Sequence, residues 1–261
     1  MSPGSGSGSG PGSGEVGDGF DVRSLALTFR PGAVLDPHAH VWGQLVFASA
    51  GVMRVATDAA TWLVPPTKAI WIPAGLTHQI LFGGEVAMRT LYIAPGRAAA
   101  LPVEPRALEV APLLRELILH ILKIGMLAPQ RPEHDRLAGL LIDLMVEARS
   151  QDLCLPLPRD RRALALAVHL QARPDDDRGL ATLAKQAGAS LRTLQCVFTR
   201  ETGLTLEAWR QKARLIHSVA CLTAGASVTD AALGSGYRSV GAFIGAFARQ
   251  FEVTPGRYLA D

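Results

Sequence analysis

One spacing occurs twice in the C-terminal third of this 261-residue chain and constrains its fold more than any other feature. In Leu180-Ala-Thr-Leu-Ala-Lys-Gln-Ala-Gly188, Ala184 and Gly188 lie four apart, and Ser190-Leu-Arg-Thr-Leu-Gln-Cys-Val-Phe198 follows. In Val228-Thr-Asp-Ala-Ala-Leu-Gly-Ser-Gly236, Ala232 and Gly236 repeat the spacing, and Ser239-Val-Gly-Ala-Phe-Ile-Gly-Ala-Phe247 follows. A small residue lets two helices cross closely, and glycine supplies the positive-φ corner between them. The second helix of each pair is then free to lie in a major groove of duplex DNA. One copy would be a weak sign. Two in tandem imply a surface with two recognition helices.

The charge distribution agrees. Residues 159–261 hold 14 Lys and Arg against 9 Asp and Glu, a net +5, whereas residues 1–158 hold 12 against 14, a net −2. The basic excess sits where phosphate neutralisation needs it. The length gives room for two domains, and 48% hydrophobic residues fit folded cores. No apolar run approaches a membrane span, and the N-terminus lacks the basic-then-apolar order of a signal peptide. Cys154, Cys196 and Cys221 show no CxxC spacing and suit a reducing compartment. The expectation is a cytoplasmic protein with no membrane partner.

Five regions follow from the pattern. Residues 1–19 are a flexible Gly/Ser-rich tail. Residues 20–107 read as short strands, Val22–Phe29, Leu45–Ser49, Met53–Ala56, Thr61–Val64, Ala69–Ile72 and Val86–Ile93, split by Pro and Gly. Many short strands at this spacing suggest a sandwich or barrel. Over 108–150 the period changes to helical, with Leu113, Leu114, Leu117, Ile118, Ile121 and Leu122, then Leu137, Leu140, Leu141, Leu144 and Met145. These wide stripes need burial, against the strands or a partner chain, and a homodimer is expected. Residues 151–158, with Cys154-Leu-Pro-Leu-Pro158, read as an extended linker. Residues 159–261 read as all-helical, so the fold class is α+β multidomain. Between the two motifs, Thr205–Leu222 carries an apolar stripe of Leu206, Trp209, Ala213, Ile216 and Ala220, with Glu207, Arg210, Gln211 and Arg214 facing away. Such a helix spans roughly 27 Å and acts as a strut that spaces the recognition helices about one DNA turn apart.

The segment from about Arg161 to Leu259 resembles the AraC/XylS family of bacterial transcription regulators. Its first half carries Arg192-Thr193-Leu194, Phe198, Glu201-Thr202-Gly203 and Trp209; its second carries Gly236-Tyr237, Phe243, Phe247, Phe251, Thr254-Pro255 and Tyr258. The resemblance implies sequence-specific binding to double-stranded promoter DNA, with RNA polymerase as a partner if the protein activates. The DNA contacts expected are Ser190, Arg192, Thr193, Gln195, Cys196, Thr199 and Arg200 in the first half, and Arg238, Ser239 and Ala242 in the second. Three positions depart from the family: Cys196 and Gly245 stand where cations are common, and Glu252 replaces the usual Gly. Losing two cations should weaken the phosphate grip. Gly241, Ala242, Gly245 and Ala246 offer little to base edges, so Arg192, Thr193, Gln195 and Thr199 should carry most of the readout. The aromatic residues at helical spacing, Phe243, Phe247, Phe251 and Phe198, read as core.

The N-terminal part holds a second pattern. Gly32-x5-His38-x-His40-x3-Gln44-x6-Gly51 is followed by Pro73-Ala-Gly75-Leu-Thr-His78. Histidines at i and i+2 on an extended strand share a face, and a third from a neighbouring strand could close a facial ligand set. Imidazole suits several transition metals, so spacing does not choose among them. The two motifs resemble those of the cupin barrel. That likeness implies a cupin β-barrel fold with His38, His40 and His78 as ligands of one divalent transition metal (Zn, Ni, Mn or Fe). Gln44 stands where the family has Glu, and Phe82 where it commonly has Asn. A neutral amide is a weaker ligand than a carboxylate. The same histidines could instead contact a small-molecule effector or serve structure alone. Trp42, Trp62 and Trp71 read as packing, and His120, His134, His169 and His217 match no ligand spacing.

His38, His40, Trp42, Gln44 and Val64-Pro65-Pro66 together are similar to a group of AraC-type regulators that govern a neighbouring efflux gene. The combined reading is a transcription regulator whose barrel senses a metal ion or small molecule. The rival is a metal-dependent cupin enzyme with an accessory DNA-binding domain. It is disfavoured because the Glu is missing and no general base is evident.

Overall fold

The computed structural model describes residues 19–150 and 153–258, so the Gly/Ser-rich tail expected over 1–19 lies, apart from Gly19, outside the described residues. The strands are β1 (Val22–Phe29), β2 (Val34–His38), β3 (Gly43–Ala50), β4 (Met53–Ala56), β5 (Ala60–Val64), β6 (Lys68–Ile72), β7 (His78–Phe82), β8 (Val86–Ile93), β9 (Arg106–Glu109), β10 (Met126–Leu127) and β11 (Cys154–Pro156). Two helices, α1 (Pro112–Ile124) and α2 (Pro132–Glu147), flank β10. After β11 come α3 (Arg161–Ala172), α4 (Leu180–Gln186), α5 (Leu191–Thr202), α6 (Leu206–Thr223), α7 (Val228–Gly234), α8 (Val240–Phe251) and α9 (Pro255–Tyr258). A β-rich part thus precedes a helical part, as the periodicities predict. The chain divides into two compact units, Met1–Met53 with Pro66–Gln151, and Arg54–Pro65 with Asp152–Asp261.

The first unit is built on an antiparallel sheet in the order β10-β1-β8-β3-β6-β9. Its core lies between one face of this sheet and the two helices. Val22, Leu45, Phe47, Trp71, Leu91 and Ile93 meet Leu114, Leu117, Ile118 and Ile121 of α1 and Ala138, Leu141, Ile142 and Met145 of α2. Most of both helical stripes is therefore buried within the chain, while Leu113 and Leu140 stay exposed. Gly43 is obligatory here, because a Cβ would overlap the Trp71 ring laid across it. Side chains alternate along β3, so Gln44 and Val46 point away from the helices. Gln44 sits opposite Tyr92 of β8 and Ile72 of β6. The strand pair β2–β7 completes the site: His38 pairs with His78, and the register shifts between Leu35 and His38. Bulges of this kind re-aim side chains, and Pro37 is tolerated at one because the ladder is already broken there.

The second unit joins two distant pieces of sequence. Cys154–Pro156, read from the sequence as part of a linker, forms a strand paired antiparallel with β5. The indole of Trp209 on α6 donates to the Pro156 carbonyl at 2.7 Å, and Thr61 Oγ1 donates to Gln171 Oε1 at 3.3 Å. Trp62, Leu155, Ala213 and Ile216 line a small cavity between these strands and α6. Of the stripe expected on α6, Leu206, Trp209, Ala213 and Ile216 are buried and Ala220 is half-buried, but Leu215, Ser218, Val219 and Leu222 are buried as well. The reason is its central place: α6 packs against α3, α5, α7 and α8.

Candidate functional site

Two sites emerge, one in each unit. In the first, ring nitrogens of His38, His40 and His78 all lie within 4.8 Å of one another. The backbone brings them together by a direct tie: Gly75, at φ +79°, donates its N–H to the His40 carbonyl at 2.9 Å. The Pro-x-Gly turn is thereby clamped to the segment that carries the first two histidines. His78 is 1% exposed and Gln44 is 1% exposed, so the base of the site is closed to solvent.

Hydrogen bonding fixes which atoms face the centre. His38 Nδ1 meets the Asp36 carbonyl at 2.7 Å, His78 Nδ1 meets the Leu76 carbonyl at 2.9 Å, and His40 Nδ1 meets the Trp42 carbonyl. A carbonyl only accepts, so each Nδ1 carries the proton and each Nε2 presents a lone pair. Gln44 is oriented too. Thr90 Oγ1 donates to the Leu45 carbonyl at 3.0 Å and therefore accepts from Gln44 Nε2 at 2.9 Å. That turns Gln44 Oε1 toward His40 Nε2, at 2.9 Å, and His78 Nε2, at 3.1 Å. Burial, reinforced by His38 and His40, pushes the His78 pKa down to about 4, against a smaller opposing pull from the Leu76 carbonyl. At neutral pH the ring is uncharged. His78 Nε2 and Gln44 Oε1 then meet as two acceptors with no proton between them.

A cation resolves this frustration. Donor atoms about 2.1 Å from one ion and at right angles to each other stand about 3 Å apart, close to the separations of Gln44 Oε1 from His40 and His78. The Nδ1–carbonyl bonds are also the outer-shell contacts that metal-ligating histidines use to hold tautomer and ring orientation. The residues present therefore fit a divalent transition metal, with His38, His40 and His78 as nitrogen ligands and Gln44 as a neutral oxygen donor. Trp42, Trp62 and Trp71 are buried core residues. Among the described residues, no other group of three or more His, Cys, Asp or Glu has metal-binding spacing.

The second site is the helical surface. Ser190 caps α5 by accepting from Thr193 N, and Ser239 caps α8 by accepting from Ala242 N. The corners carry Gly188 at φ +76° and Gly236 at φ +77°. On α5, Leu194, Val197 and Phe198 face the core, while Arg192, Cys196, Thr199 and Arg200 are exposed and Thr193 and Gln195 half-buried. Gln195 Nε2 donates to Glu207 Oε1 at 3.0 Å, which holds its amide in place. Arg200 pairs with Glu201 at 2.7 Å. Arg238, Ser239 and Ala242 lie exposed at the start of α8, and Phe243, Ala246 and Phe247 are buried. The two caps have side chains already committed to the backbone, a role the residue types also explain.

Beside this face, α6 is tied to the α3–α4 loop. Arg214 Nε donates to the Pro174 carbonyl at 2.8 Å and Arg210 Nη1 to the Arg178 carbonyl at 3.1 Å. Asp176 anchors the loop, paired with Arg178 and with His169 at 2.7 Å; the Arg178 hydrogen bond holds its carboxyl well below the usual range. Sequence reading placed Arg210 and Arg214 on the outer side of the strut but missed what they grip. Their spacing of four on one helix face was the available signal.

Comparison with known proteins agrees with this arrangement. The model of the AraC-like ligand binding domain matches residues 25–155, and that of a helix-turn-helix domain matches residues 183–261. The HTH-type transcriptional regulator NimR of Escherichia coli (strain K12) is 32% identical over 223 residues, 85% of this chain and 81% of NimR. The HTH-type transcriptional regulator RipA of Corynebacterium glutamicum is 32% identical over 103 residues, 40% of this chain and 31% of RipA. Among solved structures, fatty acid-bound ToxT of Vibrio cholerae aligns over 94% of this chain and 96% of its own, at 12% identity and a TM-score of 0.39. No helix among the described residues is long and apolar enough to cross a membrane. The chain belongs to the AraC family of transcription regulators, with a ligand-binding domain ahead of a helix-turn-helix DNA-binding domain, and it is a regulator rather than an enzyme.

Proposed function

We propose that the ligand-binding domain, cupin-like in its motifs, holds one divalent transition metal (Zn, Ni, Mn or Fe) on His38, His40 and His78, with Gln44 completing the set. One observation carries this: His40 Nε2, His78 Nε2 and Gln44 Oε1 are aimed at one another as acceptors, each fixed by a separate hydrogen bond. When bound, the ion supplies the positive charge that lets these atoms share one centre. The chain's own part is orientation, through the Asp36, Trp42 and Leu76 carbonyls and through Thr90. Elemental mass spectrometry of untagged protein tests the reading, beside a His38→Ala/His40→Ala double variant. About one metal per chain, lost in the variant, is expected for a built site. No metal after reloading with Zn, Ni, Mn and Fe would leave the acceptors to the N–H or O–H donors of an organic effector.

Occupancy of this site is proposed to set operator affinity. A ligand shifts a conformational balance only by its differential affinity for the two arrangements. Equal operator affinity for metal-loaded and metal-free protein would refute the coupling. The regulator is further proposed to act in the cytoplasm as a homodimer, on promoter DNA beside an efflux gene as the resemblance of its histidine motif implies, and with RNA polymerase where it activates. Leu140 is 40% exposed on α2 beside Ile124, in a groove that also carries Arg131, Glu133 and Arg136. A two-fold contact would set each such patch against its own copy and cover Leu140 and Ile124 of both. Sedimentation equilibrium of Leu140→Glu should show monomer where the unaltered chain is dimeric.

A further inference from the structure

The described surface of the helical unit has a groove whose chemistry the recognition helices do not account for. It lies between α6 and α8, has a volume of about 410 Å³, and is lined by Arg210, Gln211 and Arg214 on one side and Tyr237 and Arg249 on the other. Ala242 and Ala246 of α8 leave it open. We propose that this groove is a phosphate-binding subsite that takes a backbone phosphodiester of the bound DNA. The inference rests on the DNA-binding role of the unit.

Three of its donor groups have no partner among the described residues. Arg249 is exposed and has no ion pair among the described residues. The Tyr237 hydroxyl and Arg210 Nε are buried with no hydrogen-bond partner. A buried donor left unmet costs about 1–3 kcal/mol, so an acceptor that reaches it is strongly favoured. The charge is only partly compensated, since Asp175, Asp176 and Asp177 act on these arginines from the α3–α4 loop. Arg210 and Arg214 are gripped by the carbonyls of Pro174, Asp176 and Arg178, which accept hydrogen bonds but carry no net charge. Burial lowers the pKa of both guanidinium groups, and for Arg210 the proximity of Arg214 adds to it. Arginine nevertheless stays protonated. Of the nearby carboxylates, Glu207 lines the groove and accepts from Gln195, Asp176 is paired with Arg178, and Asp175 and Asp177 lie near Arg214.

The position suits a backbone crossing. Glu207, held by Gln195 of α5, lines the same groove as Ala242 and Ala246 of α8, so the subsite lies between the two recognition helices. Duplex DNA read by both presents its sugar-phosphate chain in that interval, and arginine and tyrosine are suited to its oxygens. Such a contact carries grip without sequence information. It also offsets the cations missing at Cys196 and Gly245.

The full chain is tested on a random-sequence duplex over a series of salt concentrations, so that no operator need be known. Arg249→Gln should cut the slope of log affinity against log salt by about 0.9, the release expected for one phosphate. Tyr237→Phe, which keeps the ring packed on Phe243, should weaken binding about 3-fold. Arg192→Ala on α5 serves as the contrast, expected to alter preference among duplex sequences, which the two groove variants leave unchanged. Inorganic phosphate added to free protein distinguishes the source. A rise in melting temperature that Arg249→Gln abolishes, with duplex binding untouched, supports the subsite but assigns it to free phosphate. If the groove variants change neither the salt slope, nor duplex affinity, nor the phosphate response, the subsite is refuted. Failure of the unaltered chain to bind any duplex would instead refute the DNA-binding role itself.

Discussion

The two sites of this regulator favour ligands of opposite charge. Around His38, His40, His78 and Gln44, acceptors converge, an arrangement that favours a cation. Around Tyr237, Arg210 and Arg249, donors gather, an arrangement that favours an anion. The first is assembled from strands of one unit and nearly sealed; the second is an open groove on helices. What they share is that the frustrated groups are held by partners that have no net charge, carbonyls in both cases and Thr90 in one. Neutral partners fix direction without cancelling what the ligand must supply. That is how a chain can hold a site ready without filling it from within.

The contrast can be broken most completely at His78. His78→Ala should remove the closed end of the acceptor set and bring metal content from about one per chain to none, read by elemental analysis, while duplex binding in the absence of effector persists. Thr90→Val sharpens the same point. It leaves every ligand in place but frees the Gln44 amide to turn, and metal affinity should fall about 10–100-fold, as when other outer-shell partners are removed. A titration of apoprotein with a competing chelator measures it.

On the opposite side, Gly236→Ala should loosen the groove. Its backbone is at φ +77°, and a Cβ would lie 2.6 Å from the Pro174 carbonyl and 2.8 Å from Arg214 Nη2. The left-handed conformation alone costs about 1–2 kcal/mol for a residue with a side chain. The clash falls on the arginine that closes one wall, so urea denaturation of the helical unit should shift and duplex affinity should fall together. Glu252→Gly is the smallest change and runs the other way. Glu252, at φ +62°, is the one non-glycine with positive φ among the described residues, whereas α5 ends on Gly203 at φ +72°. Relieving it should stabilise the unit by about 1 kcal/mol. An unchanged denaturation midpoint would show that the C-cap of α8 bears no strain.

Much of this was legible in the sequence, and the exceptions have physical reasons. The spans of β1, β4 and β8 coincide with the alternating apolar runs read from residues alone. Both recognition helices and their glycine corners also follow from local spacing, whereas the capping roles of Ser190 and Ser239 were not read there. Strands β2 and β7 did not stand out, since β2 contains Pro37 and has no residue fully buried. Yet they carry His38 and His78, which the motif found without them. Gln44 could be named as an odd ligand, but its orientation could not, because Thr90 is 46 residues away. The groove was illegible for the same reason. Its walls come from α6 and from the turn and helix beyond α7, and no local period links Arg210 to Tyr237 or Arg249. The placement of Cys154–Pro156 as a strand likewise depends on a partner, β5, far back in the chain.

That last pairing bears on how such a protein could be taken apart or recombined. The helical unit draws on Arg54–Pro65 as well as on everything after Asp152. A cut before Arg159 would strip the Trp209 indole of its acceptor at Pro156 and take away the Thr61 partner of Gln171. A chimera that exchanged sensor domains at one crossover point would therefore inherit a foreign hairpin against its own strut helix. Modularity in this architecture runs along surfaces in space rather than along the chain, and an exchange that respects it needs three junctions.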